Sequence, residues 1–139
     1  MYFLDSDVCI NLLRGKLPVT YDLMRQSDPK LFGIPAVVEA ELRTGARKAK
    51  QAQKDLLLLE AFLAPFQRIP FDSECAMAYA EIRAHLESAG QTIGPNDLLI
   101  AATAWARNAT LITHNVREFK RIPGLSIEDW DEMPFDPEA

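Results

Sequence analysis

Cysteine is nearly absent: Cys9 and Cys75 are the only two among 139 residues. They share no CxxC spacing and have no histidine at zinc-finger distance, so a disulfide scaffold and a zinc finger are excluded. Both lie in apolar surroundings and read as reduced core thiols in a reducing compartment. No run approaches the roughly 20 apolar residues of a membrane span. The N-terminus carries Asp5 and Asp7 where a signal peptide needs lysine or arginine. A soluble, cytoplasmic protein without a membrane partner is therefore expected. The phosphate-binding patterns GxxxxGK-S/T and GxGxxG are also missing, which removes support for nucleoside-triphosphate and dinucleotide chemistry. No Ser, Cys or His nucleophile constellation stands out. Positive charge is in deficit, with 15 basic against 20 acidic residues and a net charge of −5. That argues against a domain holding nucleic acid by electrostatics alone. It leaves room for a nuclease whose carboxylates recruit cations, because bound ions reverse the local sign.

What is present suits one domain. The 48% hydrophobic content supplies a core, and a chain of this length buries roughly two-thirds of its unfolded surface. We assign residues 1–130 to a single domain and 131–139 to an acidic C-terminal tail. Five basic residues (Arg43, Arg47, Lys48, Lys50 and Lys54) crowd a stretch that has no acid between Arg43 and Lys54.

Short apolar runs alternate with longer helical stretches. Strands are expected at Tyr2–Leu4, Leu31–Ile34, Phe66–Ile69, Thr110–Thr113 and, at an edge, Leu125–Ile127. Helices are expected from about Asp7 to Arg14, between Pro18 and Asp28, from Pro35 to a break near Gly45, from Ala52 to Ala64, from an Asp72 cap to Glu87, and from Pro95 to Arg107. In the last of these Leu98, Ala101, Ala102 and Trp105 form one apolar face. Strands alternating with helices imply an α/β fold, a central parallel sheet of about five strands with helices on both faces. Ligands of such sheets bind beyond the carboxyl ends of the strands.

Acidic and amide side chains collect at those ends. Asp5 follows the first strand, Asn115 and Glu118 follow the fourth, and Asp97 occupies the first turn of a helix. Glu41 falls on the apolar stripe of its own helix, three residues from Val38 and four from Val37. No lysine or arginine shares that stripe, so a cation is a reasonable partner for it. Glu39, by contrast, faces Arg43 at i+4 as an ordinary surface pair. Plainer roles stay open for each: Asp5 as a helix cap, Asp97 as an acid favoured by the helix dipole, Asp7 as a first-turn residue, and His114 as a loop residue. Mg²⁺ wants oxygen ligands and keeps several waters, so two or three carboxylates plus a substrate phosphate make a sufficient site.

The segments Met1–Ile10, Ile34–Gly45, Gly94–Ala104 and Leu111–Phe119, with the ending Pro123–Trp130, resemble in order the motifs of PIN-domain proteins, over nearly the whole chain. The compact size is most similar to the VapC group of toxins from type II toxin–antitoxin pairs. The resemblance implies a PIN-domain-like fold and an Mg²⁺-dependent (or Mn²⁺-dependent) endoribonuclease acting on an RNA substrate. It also implies a homodimer inhibited by a cognate VapB-type antitoxin. Carried over by position, Asp5, Glu41 and Asp97 become the metal-binding carboxylates, while Ser6, Thr113 and Asn115 complete the catalytic set. Many relatives have aspartate where this chain has Asn115, so the fourth carboxylate is missing or is supplied by Glu118. In-line hydrolysis of the phosphodiester leaving 5′-phosphate and 3′-hydroxyl is the expected chemistry. The rivals are a catalytically weak PIN-like protein that only binds RNA or a partner, a metal-dependent phosphatase, and a DNA-cutting relative. Finally, Leu56–Phe66 carries more apolar residues than one packed stripe needs. Leu56, Leu59 and Leu63 satisfy the core, leaving Leu57, Leu58 and Phe62 as a candidate protein-binding surface.

Overall fold

The computed structural model describes residues 1–131. Five parallel strands, β1 (Tyr2–Leu4), β2 (Phe32–Pro35), β3 (Gln67–Ile69), β4 (Thr110–Ile112) and β5 (Ile127–Glu128), form one sheet in the order β3-β2-β1-β4-β5. Their side chains explain the arrangement. Phe3, Leu4, Ile34, Leu111 and Ile112 are all buried, as strands covered on both faces require.

The connections are helical: α1 (Ser6–Leu13) and α2 (Pro18–Arg25) between β1 and β2, then α3 (Ala36–Lys48) and α4 (Ala52–Leu63) before β3. After β3 come α5 (Ser73–Ser88) and α6 (Pro95–Ala106), and the short α7 (Val116–Phe119) follows β4. The chain steps outward from β1 to β2 to β3, then jumps back to β4 on the other side of β1. Parallel crossovers are right-handed, so this reversal puts the two sets of helices on opposite faces. It also opens a crevice between the carboxyl ends of β1 and β4.

Several boundaries differ from the sequence reading, each for a local reason. Helix α1 starts at Ser6 because Asp5 is its N-cap, accepting from the Ser6 amide. Helix α2 stops at Arg25 rather than Asp28. The Asp28 carboxylate instead caps a 3₁₀ turn over Pro29–Leu31, so the second strand begins at Phe32, not Leu31. Pro35 ends β2 and stands at the N-cap of α3 rather than inside its first turn. Helix α3 runs through Gly45 to Lys48; a solvent-facing glycine costs an otherwise well-packed helix only about 1 kcal/mol. At Gly33 the absence of a side chain is structural, because an added Cβ would lie 2.9 Å from the Phe3 ring and 3.0 Å from Ile69. The last strand is shifted to Ile127–Glu128.

Cys9 and Cys75 are buried and unpaired. Trp130 packs on Tyr2 and Phe32, and the Asp131 carboxylate accepts from the Val19 and Thr20 amides at the start of α2. The rest of the segment assigned as an acidic tail, 132–139, lies outside the described residues. Among the described residues no helix is long and apolar enough to cross a membrane.

Candidate active site

The chain builds the site at the crevice its topology creates. Asp5 stands one residue past β1, and its backbone amide continues the ladder to Ile112 O at 3.0 Å. Only 4% of its surface is exposed. Oδ1 accepts from the Ser6 amide at 2.8 Å and Oδ2 from the Thr113 hydroxyl at 2.7 Å. Thr113, wholly buried, ends β4's side of the crevice; its hydroxyl oxygen in turn accepts the Asn115 amide at 2.9 Å. One hydroxyl thus ties the first acidic position to the loop after β4.

Glu41 comes from α3. Val38, Leu42 and Ala46 make the buried stripe of that helix, and Glu41 flanks it, half-buried rather than core-directed. This corrects the reading that put it on the stripe itself. Its Oε1 accepts from Ser6 Oγ at 2.6 Å. Asp97 sits in the first turn of α6, opened by Gly94 and Pro95, where the dipole favours an acid. Asn115 Nδ2 donates to Asp97 Oδ2 at 3.3 Å and to Glu118 Oε2 at 2.9 Å.

Asp5, Ser6, Asp7, Ile10, Glu41, Asp97, His114 and Asn115 line one open cleft of about 510 Å³. Asp5, Ser6, Glu41, Asp97 and Asn115, singled out from sequence, are at this place; Thr113 holds Asp5 from beneath it, and Glu118 stands outside the lining, bound to the Asn115 amide. Two lining residues were given only plain roles, Asp7 and His114. Asp7 does cap its helix turn, accepting from the Val8 amide at 2.7 Å, and it also faces the cleft. Glu39 is the surface partner expected, bound to Arg43 at 2.8 Å, with Arg43 also on Glu60.

Packing acids this closely has an electrostatic consequence. Burial, then the charge of Asp7, pushes the Asp5 carboxyl up to about 7. Burial, then the hydrogen bond with Glu118 and the charges of Asp5, Glu118 and Glu41, pushes Asp97 up to about 7 as well. The hydrogen bonds from Asp97 and Asn115 hold Glu118 below its usual range. No lysine or arginine lines the cleft, so the concentrated negative charge fits a hard cation with oxygen ligands. Among the described residues no three His, Cys, Asp or Glu side chains are drawn together closely enough to hold a metal ion by themselves. The arrangement suits chemistry on a phosphate that needs positive charge at an acidic site.

Comparison with known proteins agrees. The PIN domain model matches residues 2–125. The chain is 40% identical over 134 residues to ribonuclease VapC2 of Rickettsia felis, covering 95% of this chain and 99% of that protein. It is 32% identical over 129 residues to the tRNA(fMet)-specific endonuclease VapC of Salmonella typhimurium, covering 93% and 97%. The toxin chain in the crystal structure of VapBC2 from Rickettsia felis bound to a promoter DNA fragment superposes with a TM-score of 0.88 at 37% identity, covering 94% and 98%. With the sheet order, the carboxylate cleft and these matches in agreement, the chain belongs to the PIN domain family.

Proposed function

We propose that this chain is the toxin of a type II toxin–antitoxin pair, an endoribonuclease that uses Mg²⁺, or Mn²⁺, to hydrolyse RNA and is restrained by a VapB-type antitoxin. The observation that carries the reading is the convergence of Asp5, Glu41 and Asp97, from three separate elements, on one open cleft at the β1–β4 crevice. Asp5 and Asp97 are the candidate direct metal ligands, and Glu41 is a ligand or the base beside them. A divalent cation, when bound, supplies positive charge against the scissile phosphate and makes nearby water more acidic. The chain's own groups do the positioning. Thr113 fixes Asp5, Ser6 fixes one oxygen of Glu41, and Asn115 holds Asp97 beside Glu118. The second oxygen of Glu41 takes a proton from the attacking water. Water adds in line to phosphorus as the bond to the 3′ oxygen breaks, and the departing 3′ oxygen takes a proton from solvent, leaving a 5′-phosphate and a 3′-hydroxyl.

Buried, unpaired Cys9 and Cys75 suit the reducing cytoplasm; a homodimer rests on the family resemblance. The test incubates the protein with RNA, DNA and a generic phosphate ester, with and without Mg²⁺, and identifies the product ends. Mg²⁺-dependent cleavage of RNA alone is expected. Binding of RNA without cleavage under every metal condition would favour the rival, a catalytically weak PIN-like binding protein.

Asn115 gives a sharper expectation. Its amide donates to two carboxylates at once, and aspartate there would lose both bonds and add a charge. Asn115→Asp should bind Mg²⁺ and Mn²⁺ about tenfold more tightly, yet lose about 1 kcal/mol of stability without metal. Calorimetric titration and metal-free melting read the two effects separately. Mn²⁺ should support the unaltered enzyme at a lower concentration than Mg²⁺. Two tight, equivalent Mg²⁺ sites in the unaltered protein would contradict this account.

A further inference from the structure

Among the acids that wall the cleft stands one imidazole. Its surroundings are set by pairing far along the chain. Strand β5 pairs Ile127 with Leu111 and Glu128 with Ile112, and the Thr113 amide donates to Glu128 O at 3.0 Å. That register brings Asp129 beside His114, with Asp129 Oδ1 2.8 Å from Nδ1. The Asp129 side chain is 8% exposed and that of His114 26%, so an almost buried acid grips a ring that still reaches the cleft.

The hydrogen-bond chemistry follows. A carboxylate only accepts, so Nδ1 carries the hydrogen, and in the neutral ring Nε2 is an acceptor. Among the hydrogen bonds between described residues, His114 takes part through Nδ1. With the ring neutral, a phosphate oxygen, which only accepts, does not pair with Nε2. A hydroxyl next to the phosphate of a bound nucleotide would donate to it. In RNA that donor is the ribose 2′-hydroxyl, which DNA lacks. His114 lies one peptide step from both Thr113, which holds Asp5, and Asn115, which holds Asp97. A ribose flanking a phosphate bound between those acids is the group at hand.

Resting on the ribonuclease reading above, we propose that His114, oriented by Asp129, is a specificity-determining residue that accepts a hydrogen bond from the 2′-hydroxyl of a nucleotide flanking the scissile phosphate. The residue is then what lets an acidic, shape-open cleft tell RNA from DNA.

The test maps the cleavage position in a short single-stranded RNA with Mg²⁺. It then substitutes 2′-deoxyribose at each of the two nucleotides flanking the cut. For the unaltered protein, one of these substitutions should slow cleavage about tenfold, the worth of one hydrogen bond. His114→Ala should cut the all-ribose strand about tenfold more slowly and be indifferent to the deoxy substitution. His114→Gln, whose side-chain oxygen still accepts, should recover part of the discrimination. The same ratios should appear as affinities by fluorescence anisotropy with Ca²⁺ replacing Mg²⁺. An equal slowing of the ribose and deoxy strands by His114→Ala would mean a phosphate contact and overturn the assignment. An unchanged deoxy penalty in His114→Ala would overturn it while leaving the ribonuclease reading intact. No cleavage of any RNA by the unaltered protein would bring both down.

Discussion

Asp97→Asn is expected to lower Mg²⁺-dependent RNA cleavage about 10³-fold or more, while the metal-free protein melts at a higher temperature at pH 8 than the unaltered chain. Both effects come from the same crowding. Asp97 shares the cleft with Asp5 and Glu41 and has Glu118 beside it. Burial, then the bond with Glu118 and the charges of its neighbours, push Asp97 up to about 7, and burial, then the charge of Asp7, pushes Asp5 up to about 7. In the unfolded chain each titrates near 3.8. The folded, metal-free state therefore holds protons that the unfolded state has released. The associated stability is fully present below about pH 4 and is lost as the pH rises through about 7. Asparagine removes one of the repelling charges and flattens that loss. Asp5→Asn should act in the same direction on cleavage, with a smaller stability gain, because it also weakens the bond from the buried Thr113 hydroxyl. Thermal melts of metal-free protein at pH 5 and pH 8, with cleavage at matched Mg²⁺, check both halves. A folded Asp97→Asn protein with near-full activity would remove Asp97 from the machinery.

The carboxylates were legible because each sits where a local pattern stops. Asp5 ends an apolar run, Asp97 opens a helix after Gly94-Pro95, and Glu41 interrupts a helical stripe. Each pattern spans a few residues, so a linear reading finds it. Glu41 shows the limit: from Val38, three residues of helix turn about 300°, which leaves it beside the Val38–Leu42–Ala46 stripe, facing Ser6 of α1. What was not legible depends on long-range register. His114 looks like an ordinary loop residue until β1–β4 pairing sets it at the cleft with Asp5 and β4–β5 pairing brings Asp129 to it. The boundary between α2 and the second strand, by contrast, is missed for a local reason, the side chain of Asp28 capping a turn, a choice that propensity alone does not make.

Leu58→Glu is expected to fold normally and to weaken binding of a co-expressed VapB-type antitoxin about 100-fold. The surface in question lies where α1, α3 and α4 meet. There Ile10, Leu13, Leu42, Ala46, Leu58 and Leu59 line an apolar groove of about 330 Å³. Ile10 and Glu41 line this groove and the catalytic cleft alike, so the two are continuous. Leu59 and Leu63 are buried, as the core stripe of α4 requires, whereas Leu57 is 72% and Leu58 52% exposed. Phe62 departs from the expected surface: it is half-buried and packs edge-on against Phe66 at 5.5 Å. Replacing Phe62 would thus report on folding, and Leu58 alone is the probe of the groove. An amphipathic segment laid in such a groove buries its apolar face by the helix-in-groove mode, and a basic side chain at its end would reach Asp5 and Asp97. A glutamate at Leu58 puts a charge against the apolar side chains that line the groove. Leu57→Glu, outside the groove lining, is the control and should leave affinity nearly unchanged. Equal affinity for the antitoxin in the Leu58→Glu and unaltered proteins, measured by calorimetry on material with matching melting curves, would place the partner elsewhere.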